Sequence, residues 1–249
     1  MTIHASAAAG FERGAAAYER GRPTYTAETV DLIVDRLDIG PARVVVDVAA
    51  GTGKLTRMLT PTGASVLAVE PVAAMRGLLR QVAPDAHAVG AIAESLPLAA
   101  RSVDAVTVAQ AFHWFDAEAA LREFDRVLRP GACAALVWNR RDLEQPLQAE
   151  INRIIQPHRN RAPSYSGGGW RLALDAAGVF RVAEEHHLPF EQELEVSGLV
   201  DRVASTSVIA ALDDRGRDEV AAAVRAVGES QEGRIRLRYI ADVFICERR

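Results

Sequence analysis

The stretch VVVDVAAGTGKLT, residues 44–56, sets an acid, Asp47, near the end of an apolar run and follows it with a turn of small residues, Ala49, Ala50, Gly51, Thr52 and Gly53. A strand, a glycine turn and a helix start make a general ligand site, because glycine admits a bound molecule where a β-carbon would collide. Two phosphate ligands fit the turn poorly. The triphosphate loop requires Gly, four residues, then Gly-Lys-Ser/Thr. Here Val48 stands where the first glycine belongs and Leu55 follows Lys54, so no hydroxyl is placed to hold magnesium. The dinucleotide fingerprint requires G-x-G-x-x-G, and Thr56 occupies the third position. A third kind of ligand remains. Further residues with chemistry stand after other apolar runs: Glu70 in VLAVEP, His113 in QAFHWF, and Asn139 and Arg140 after ACAALVW.

Apolar runs alternating with helical patterns must position these groups, and that alternation implies a parallel sheet covered by helices on both faces. Strands are expected at Val44–Val48, Ser65–Val69, Ala86–Val89, Val103–Ala109 and Ala132–Trp138. Helices are expected after Gly53, Pro71, Asp116 and Glu144, and a Pro-Gly turn in LREFDRVLRPG is expected to deliver the fifth strand. RNRAPSYSGGGW reads as a mobile loop. FRVAEEHHLPFEQEL and RLRYIADVFICERR read as two further strands, with Val196 to Val227 helical between them. Adjacent His186 and His187 face opposite ways on such a strand, which suits an edge or surface role.

At 249 residues and 49% hydrophobic content the chain can bury one large core. A net charge of −4 and a pI near 5.9 give no basic field for nucleic acid. The two cysteines, Cys133 and Cys246, lie in apolar runs and suit buried thiols, with neither a disulfide nor a metal site. MTIHASAAAGFERG has too short an apolar run for a signal peptide. No segment approaches the ~20 apolar residues that span a bilayer. A soluble, cytoplasmic protein is expected, monomeric or homodimeric.

VVDVAAGTGKLT, VLAVEP, AESLPL, VDAVTVAQAFHWFD, RVLRPGA and the N-terminal YERGRPTY together resemble the class I S-adenosylmethionine-dependent methyltransferases, in particular the small-molecule group similar to trans-aconitate methyltransferases. The resemblance covers essentially the whole chain. It implies a Rossmann-like, doubly wound, seven-stranded α/β sheet, mostly parallel with one antiparallel strand, in a single domain. Residues 1–37 would form an N-terminal helical lid and first helix, 38–195 the cofactor-binding core, 196–228 a helical insertion and 229–249 the final strand.

It implies S-adenosyl-L-methionine as cofactor, S-adenosyl-L-homocysteine as product and a small-molecule acceptor, with no metal. The cofactor has no phosphate, so Gly51 and Gly53 serve close approach and need no lysine. Glu70 is placed to accept from both ribose hydroxyls, or else to cap the helix after Pro71. Asp47 orders the turn or meets the methionine ammonium through water. Ala49 replaces the family's common first glycine, which requires ordinary dihedrals there. Ile92 replaces its adenine-binding acid, leaving that base to Ala93 and Glu94. Gln110 and Ala111 meet the methionine part, and Arg22 pairs with its carboxylate. His113 is the candidate proton acceptor. On the substrate side, His113, Trp114, Tyr18, Tyr25, Asn139 and Arg140 are expected, while Phe112 and Phe115 fill the core. Two other classes compete. A dehydrogenase of the short-chain type would need Tyr-x-x-x-Lys, and the only lysine is Lys54 in the turn. A non-catalytic cofactor-binding protein would keep the turn and Glu70.

Overall fold

Short valine-rich runs bounded by turn residues become the strands: β1 (Val44–Val48), β2 (Ser65–Val69), β3 (His87–Val89), β4 (Val103–Ala109), β5 (Leu128–Arg141), β6 (Phe180–Leu194) and β7 (Ile235–Arg248). The computed structural model describes residues 15–159, 165 and 168–249. The expected MTIHASAAAGFERG tail therefore lies outside the described residues, as does most of RNRAPSYSGGGW. The strands form one mixed, mostly parallel seven-stranded sheet in the order β3-β2-β1-β4-β5-β7-β6. β1 pairs in parallel with both β2 and β4. Chain order reverses between β1 and β4, which makes their carboxyl ends the switch point where open α/β sheets bind ligands.

The helices are α1 (described over residues 15–21), α2 (Ala27–Arg36), α3 (Thr56–Leu59), α4 (Ala73–Val82), α5 (Ala117–Val127), α6 (Pro146–Ile155), α7 (Gly169–Ala177), α8 (Val196–Ala204), α9 (Ser207–Ala210) and α10 (Asp214–Glu229). By its contacts the chain divides into two compact units, a larger one of Tyr25–Trp138, Pro163–Leu188 and Ala241–Arg249, and a smaller one of Met1–Thr24, Asn139–Ala162 and Pro189–Ile240.

In the larger unit successive strand residues feed two apolar layers, as the period of two requires. Val46, Val48, Leu136 and Phe244 join Phe124 of α5 and Leu174 of α7 on one face. Val45, Val137 and Val243 join Ile33 of α2 and Leu59 of α3 on the other. In the smaller unit Ile151 and Ile155 of α6, Leu199 and Val203 of α8, and Val220 and Val224 of α10 pack with Leu237 and Tyr239 of β7.

Three local expectations change. The Pro-Gly turn before β5 is absent, because α5 ends at Val127 and the strand begins at Leu128. Pro130 and Gly131 instead lie within β5, where the register against β4 shifts between Val103 and Ala105. The helix after Gly53 is only four residues long. It passes into a 3-10 turn, Thr60–Thr62, in which Pro61 has no amide to donate and Gly63 at φ 81° closes the chain direction. Cys246 is buried but Cys133 is partly exposed, and both are free thiols. Among the described residues, no helix is long and apolar enough to cross a membrane, and no group of three or more His, Cys, Asp or Glu is placed to hold a metal ion.

Candidate active site

In the larger unit the carboxyl ends of β1, β2 and β4 carry Asp47, the glycine turn, Glu70 and the Gln110–Phe115 segment. Asp47 is the β1 residue opposite Thr107 of β4. Its carboxylate accepts from Thr107 Oγ1 at 3.0 Å and from Thr56 Oγ1 at 2.6 Å. It thus ties both neighbouring elements to β1 from a position 1% exposed. Burial pushes its pKa up to about 6 against the lowering effect of those hydrogen bonds. A raised folded-state pKa stabilises the fold fully below the unfolded value, and that contribution is lost as pH rises through about 6. Asp47→Asn removes this titration. We expect wild type to lose about 2 kcal/mol relative to the variant between pH 4 and 7, at 1.36 kcal/mol per pKa unit. Denaturant unfolding at several pH values measures it, and parallel pH profiles for the two proteins would contradict it.

Beyond Asp47 the backbone turns sharply. Ala49 has φ 54°, which corrects the expectation of ordinary dihedrals at this position. The conformation costs a non-glycine residue roughly 1 to 2 kcal/mol, and it is held by Ala50 N–H donating to the Val69 carbonyl at 3.0 Å. Gln110, the residue after the adjacent β4, is also left-handed at φ 64°. Strain of this kind persists where surrounding structure overdetermines the backbone, commonly at ligand sites. Gly51 and Gly53 have φ 60° and 86°. Their needs differ: a β-carbon on Gly53 would lie 3.1 Å from Leu79 Cγ of α4, whereas one on Gly51 would project into open space.

Glu70 is 5% exposed. Its Oε2 accepts from Gly51 N–H and its Oε1 from Val72 N–H, each at 2.8 Å. One carboxylate therefore ties the turn after β1 to the segment that leads into α4, and burial raises its pKa against those two amides. Each ionised oxygen retains a further lone pair for a ligand donor. Ala93 is buried in the core, in a loop where Ser95 N–H donates to the Ile92 carbonyl. Glu94 Oε1 accepts from Asp116 N–H at 3.0 Å, just before α5.

Phe112 is buried and meets Phe115 edge-on at 5.8 Å. His113 packs beside Trp114 at 5.0 Å, and its Nδ1 accepts from Trp138 Nε1–H at 3.3 Å. Trp138 is itself held by Tyr165 at 4.6 Å and Trp170 at 4.9 Å. This arrangement fixes the neutral His113 tautomer with its proton on Nε2. Tyr25 is buried beside Val30 and Ile33. His187 Nδ1 lies 2.6 Å from buried Asp242, and His186 2.8 Å from Glu184, both on edge strand β6.

The remaining expected residues belong to the smaller unit. Arg22 lies 5.1 Å from the Tyr18 ring centroid and donates to Ser205 Oγ at 3.1 Å and to the Ser205 carbonyl at 3.0 Å. Asn139 Nδ2 donates to the Thr24 carbonyl at 3.3 Å. Arg140 is partly exposed on β5. The structure therefore gathers Asp47, Ala49, Gly51, Gly53, Glu70, Pro71, Gln110, His113 and Trp114 within one unit, and gathers Tyr18, Arg22 and Asn139 within the other.

The methyltransferase-domain family matches residues 46–136, the span from β1 to β5 that carries this turn and both acids. An uncharacterized methyltransferase of Mycobacterium tuberculosis (strain ATCC 25618 / H37Rv) is 39% identical over 197 residues, covering 79% of this chain and 76% of that protein. The chain is a class I S-adenosylmethionine-dependent methyltransferase. An uncharacterized methyltransferase-like protein of Schizosaccharomyces pombe is 32% identical over 221 residues, covering 88% of the methyltransferase described here and 86% of that protein. A solved structure from Anaeromyxobacter dehalogenans, provisionally described as a type II methyltransferase, matches with a TM-score of 0.67 at 25% identity, over 91% of this chain and 97% of that one.

The residues of the methyltransferase fit its cofactor. Beside Gly51 there is open space within 4 Å of a β-carbon position, and the spare lone pairs of Glu70 have the acceptor chemistry that ribose hydroxyls need. Sequence reasoning missed Thr56 and Thr107, the partners of Asp47. It also passed over Arg141, Arg159 and Arg202 of the smaller unit. Single-residue motifs carry no signal for either group.

Proposed function

We propose that the methyltransferase transfers the cofactor's methyl group to an already ionised oxygen of a small cytoplasmic acid by in-line displacement, leaving S-adenosylhomocysteine. Bound S-adenosylmethionine supplies a methyl activated by the sulfonium charge. The glycine turn and Glu70 hold that group beside the β4 end. Alignment and exclusion of water are the main contributions left to the protein, worth ~7 to 11 kcal/mol.

The observation supporting an ionised oxygen is the bond from Trp138 Nε1–H to His113 Nδ1. It occupies the lone pair that a neutral imidazole would use to remove a proton. An alcohol or carbon acid would require such a base, whereas a carboxylate requires none. The test is incubation with methyl-labelled cofactor and a metabolite extract, followed by mild alkali. A small-molecule product that releases its label as methanol supports the reading, and a product with a base-stable methyl on nitrogen or carbon contradicts it.

A further inference from the structure

Three arginines of the smaller unit are drawn inward without a counter-charge. Arg141 ends β5, Arg159 follows α6 and Arg202 lies on α8. Among the described residues, Arg141 Nη1, Arg159 Nε and Arg202 Nη1 are buried donors with no hydrogen-bond partner, and none of the three guanidiniums pairs with a carboxylate. The contrast within the same unit is sharp: Arg20 pairs with Asp201, Arg234 with Glu195, Arg236 with Glu193 and Arg238 with Asp142. The hydrogen bonds of two of them run to neutral groups: Arg202 Nε donates to the Tyr239 hydroxyl at 2.7 Å and Arg141 Nη2 to Thr206 Oγ1 at 3.4 Å. Burial and the like charges of Arg202, Arg22 and Arg159 push the Arg141 guanidinium well below its usual range. The Arg159 guanidinium is lowered too, by burial and by Arg202.

Burying an uncompensated charge costs several kcal/mol. A fold that places three together gains nothing from them unless an anion completes the site. The shape of that anion follows from the donors. A planar carboxylate takes two parallel bonds from the fork of one guanidinium. Here one donor is left over on each of three guanidiniums, carried by three different elements, which suits a tetrahedral oxyanion accepting from several directions.

We propose that Arg141, Arg159 and Arg202, with Thr206 and Tyr239, form a binding site for a phosphate-type dianion.

Thermal unfolding of the full chain, at constant ionic strength and with added diphosphate, inorganic phosphate or citrate, tests it. Saturating diphosphate is expected to raise the wild-type midpoint by about 3 °C or more, as mass action predicts for a ligand of the native state, and citrate by less. Arg141→Gln and Arg159→Gln should each be as stable as wild type or more so without anion, and should bind diphosphate at least about tenfold more weakly. Three results would overturn the site: no response of wild type to diphosphate, an undiminished response in both variants, or a larger response to citrate. Titration of S-adenosylhomocysteine in the same samples reports on the cofactor reading separately. It is expected to be the same in Arg141→Gln as in wild type.

Discussion

Replacing Glu70 by alanine will weaken binding of S-adenosylhomocysteine by about 1.5 to 3 kcal/mol, the range for hydrogen bonds to a charged group, which is roughly a tenfold to 150-fold loss. The expectation follows from what the carboxylate already does. Its two oxygens hold Gly51 N–H and Val72 N–H, so the side chain we propose for the ribose also keeps the glycine turn in its shape. Alanine removes the acceptors and releases the turn together. The two amides lose their partners, and thermal stability should fall modestly as well. Glu70→Gln is no conservative control, because its amide nitrogen would face one of those two donors. Burial raises the Glu70 pKa, so wild-type affinity should decline on acidification at a higher pH than an exposed glutamate would show, and the alanine variant should lack that dependence. Calorimetric titration decides the matter. Unchanged affinity with lowered stability would make Glu70 a helix cap alone.

Gly21→Ala is expected to have the largest effect on stability of any single methyl added to the smaller unit. A β-carbon on Gly21 would stand 2.4 Å from Arg202 N and from Asp201 C of α8. These are backbone atoms, so no rotamer change relieves the clash. The chain commits other contacts to the same approach: Arg20 grips Asp201 through Nε at 2.7 Å and Nη2 at 3.1 Å, and Gln192 Nε2 donates to the Gly21 carbonyl at 3.1 Å. The variant must shift α8 or detach α1. Either should cost about 3 kcal/mol or more, at the upper end for overpacking, with faster amide exchange across residues 15–24. Shifting α8 also moves Arg202, so the response to diphosphate should fall in parallel. Wild-type stability in this variant would contradict the docking of α1 on α8.

How far the sequence could be read depended on how local the cause was. β1, β2, β4 and β6 have the residue ranges expected, since short apolar or alternating runs between turn residues specify a strand without reference to distant contacts. The start of β5 was misplaced. Pro130-Gly131 carries a strong turn signal, but pairing with β4 absorbs the two residues as a register shift. At Ala49 the side chain argued for ordinary dihedrals, yet the bond from Ala50 to Val69 on the neighbouring strand imposes φ 54°. The turn and its two acids were legible because strand, turn and helix start are contiguous. The arginine site was not. Arg141, Arg159 and Arg202 come from segments far apart in sequence, and Arg140, the arginine that directly follows Asn139, projects to the opposite side of the strand from Arg141. Nothing local distinguishes a buried, unpaired arginine from the many surface ones.

The carboxyl ends of β1, β2 and β4 are expected to hold the cofactor. Amide hydrogen exchange of the full chain with and without S-adenosylhomocysteine tests this most directly, because it locates the protection as well as detecting it. The account predicts slower exchange at the Ala49–Gly53 turn, at Val72 and across Gln110–Trp114, with no such response to NAD or ATP. Equal protection of the turn by NAD or ATP, or S-adenosylhomocysteine protection that leaves the turn and Val72 unchanged, would contradict it.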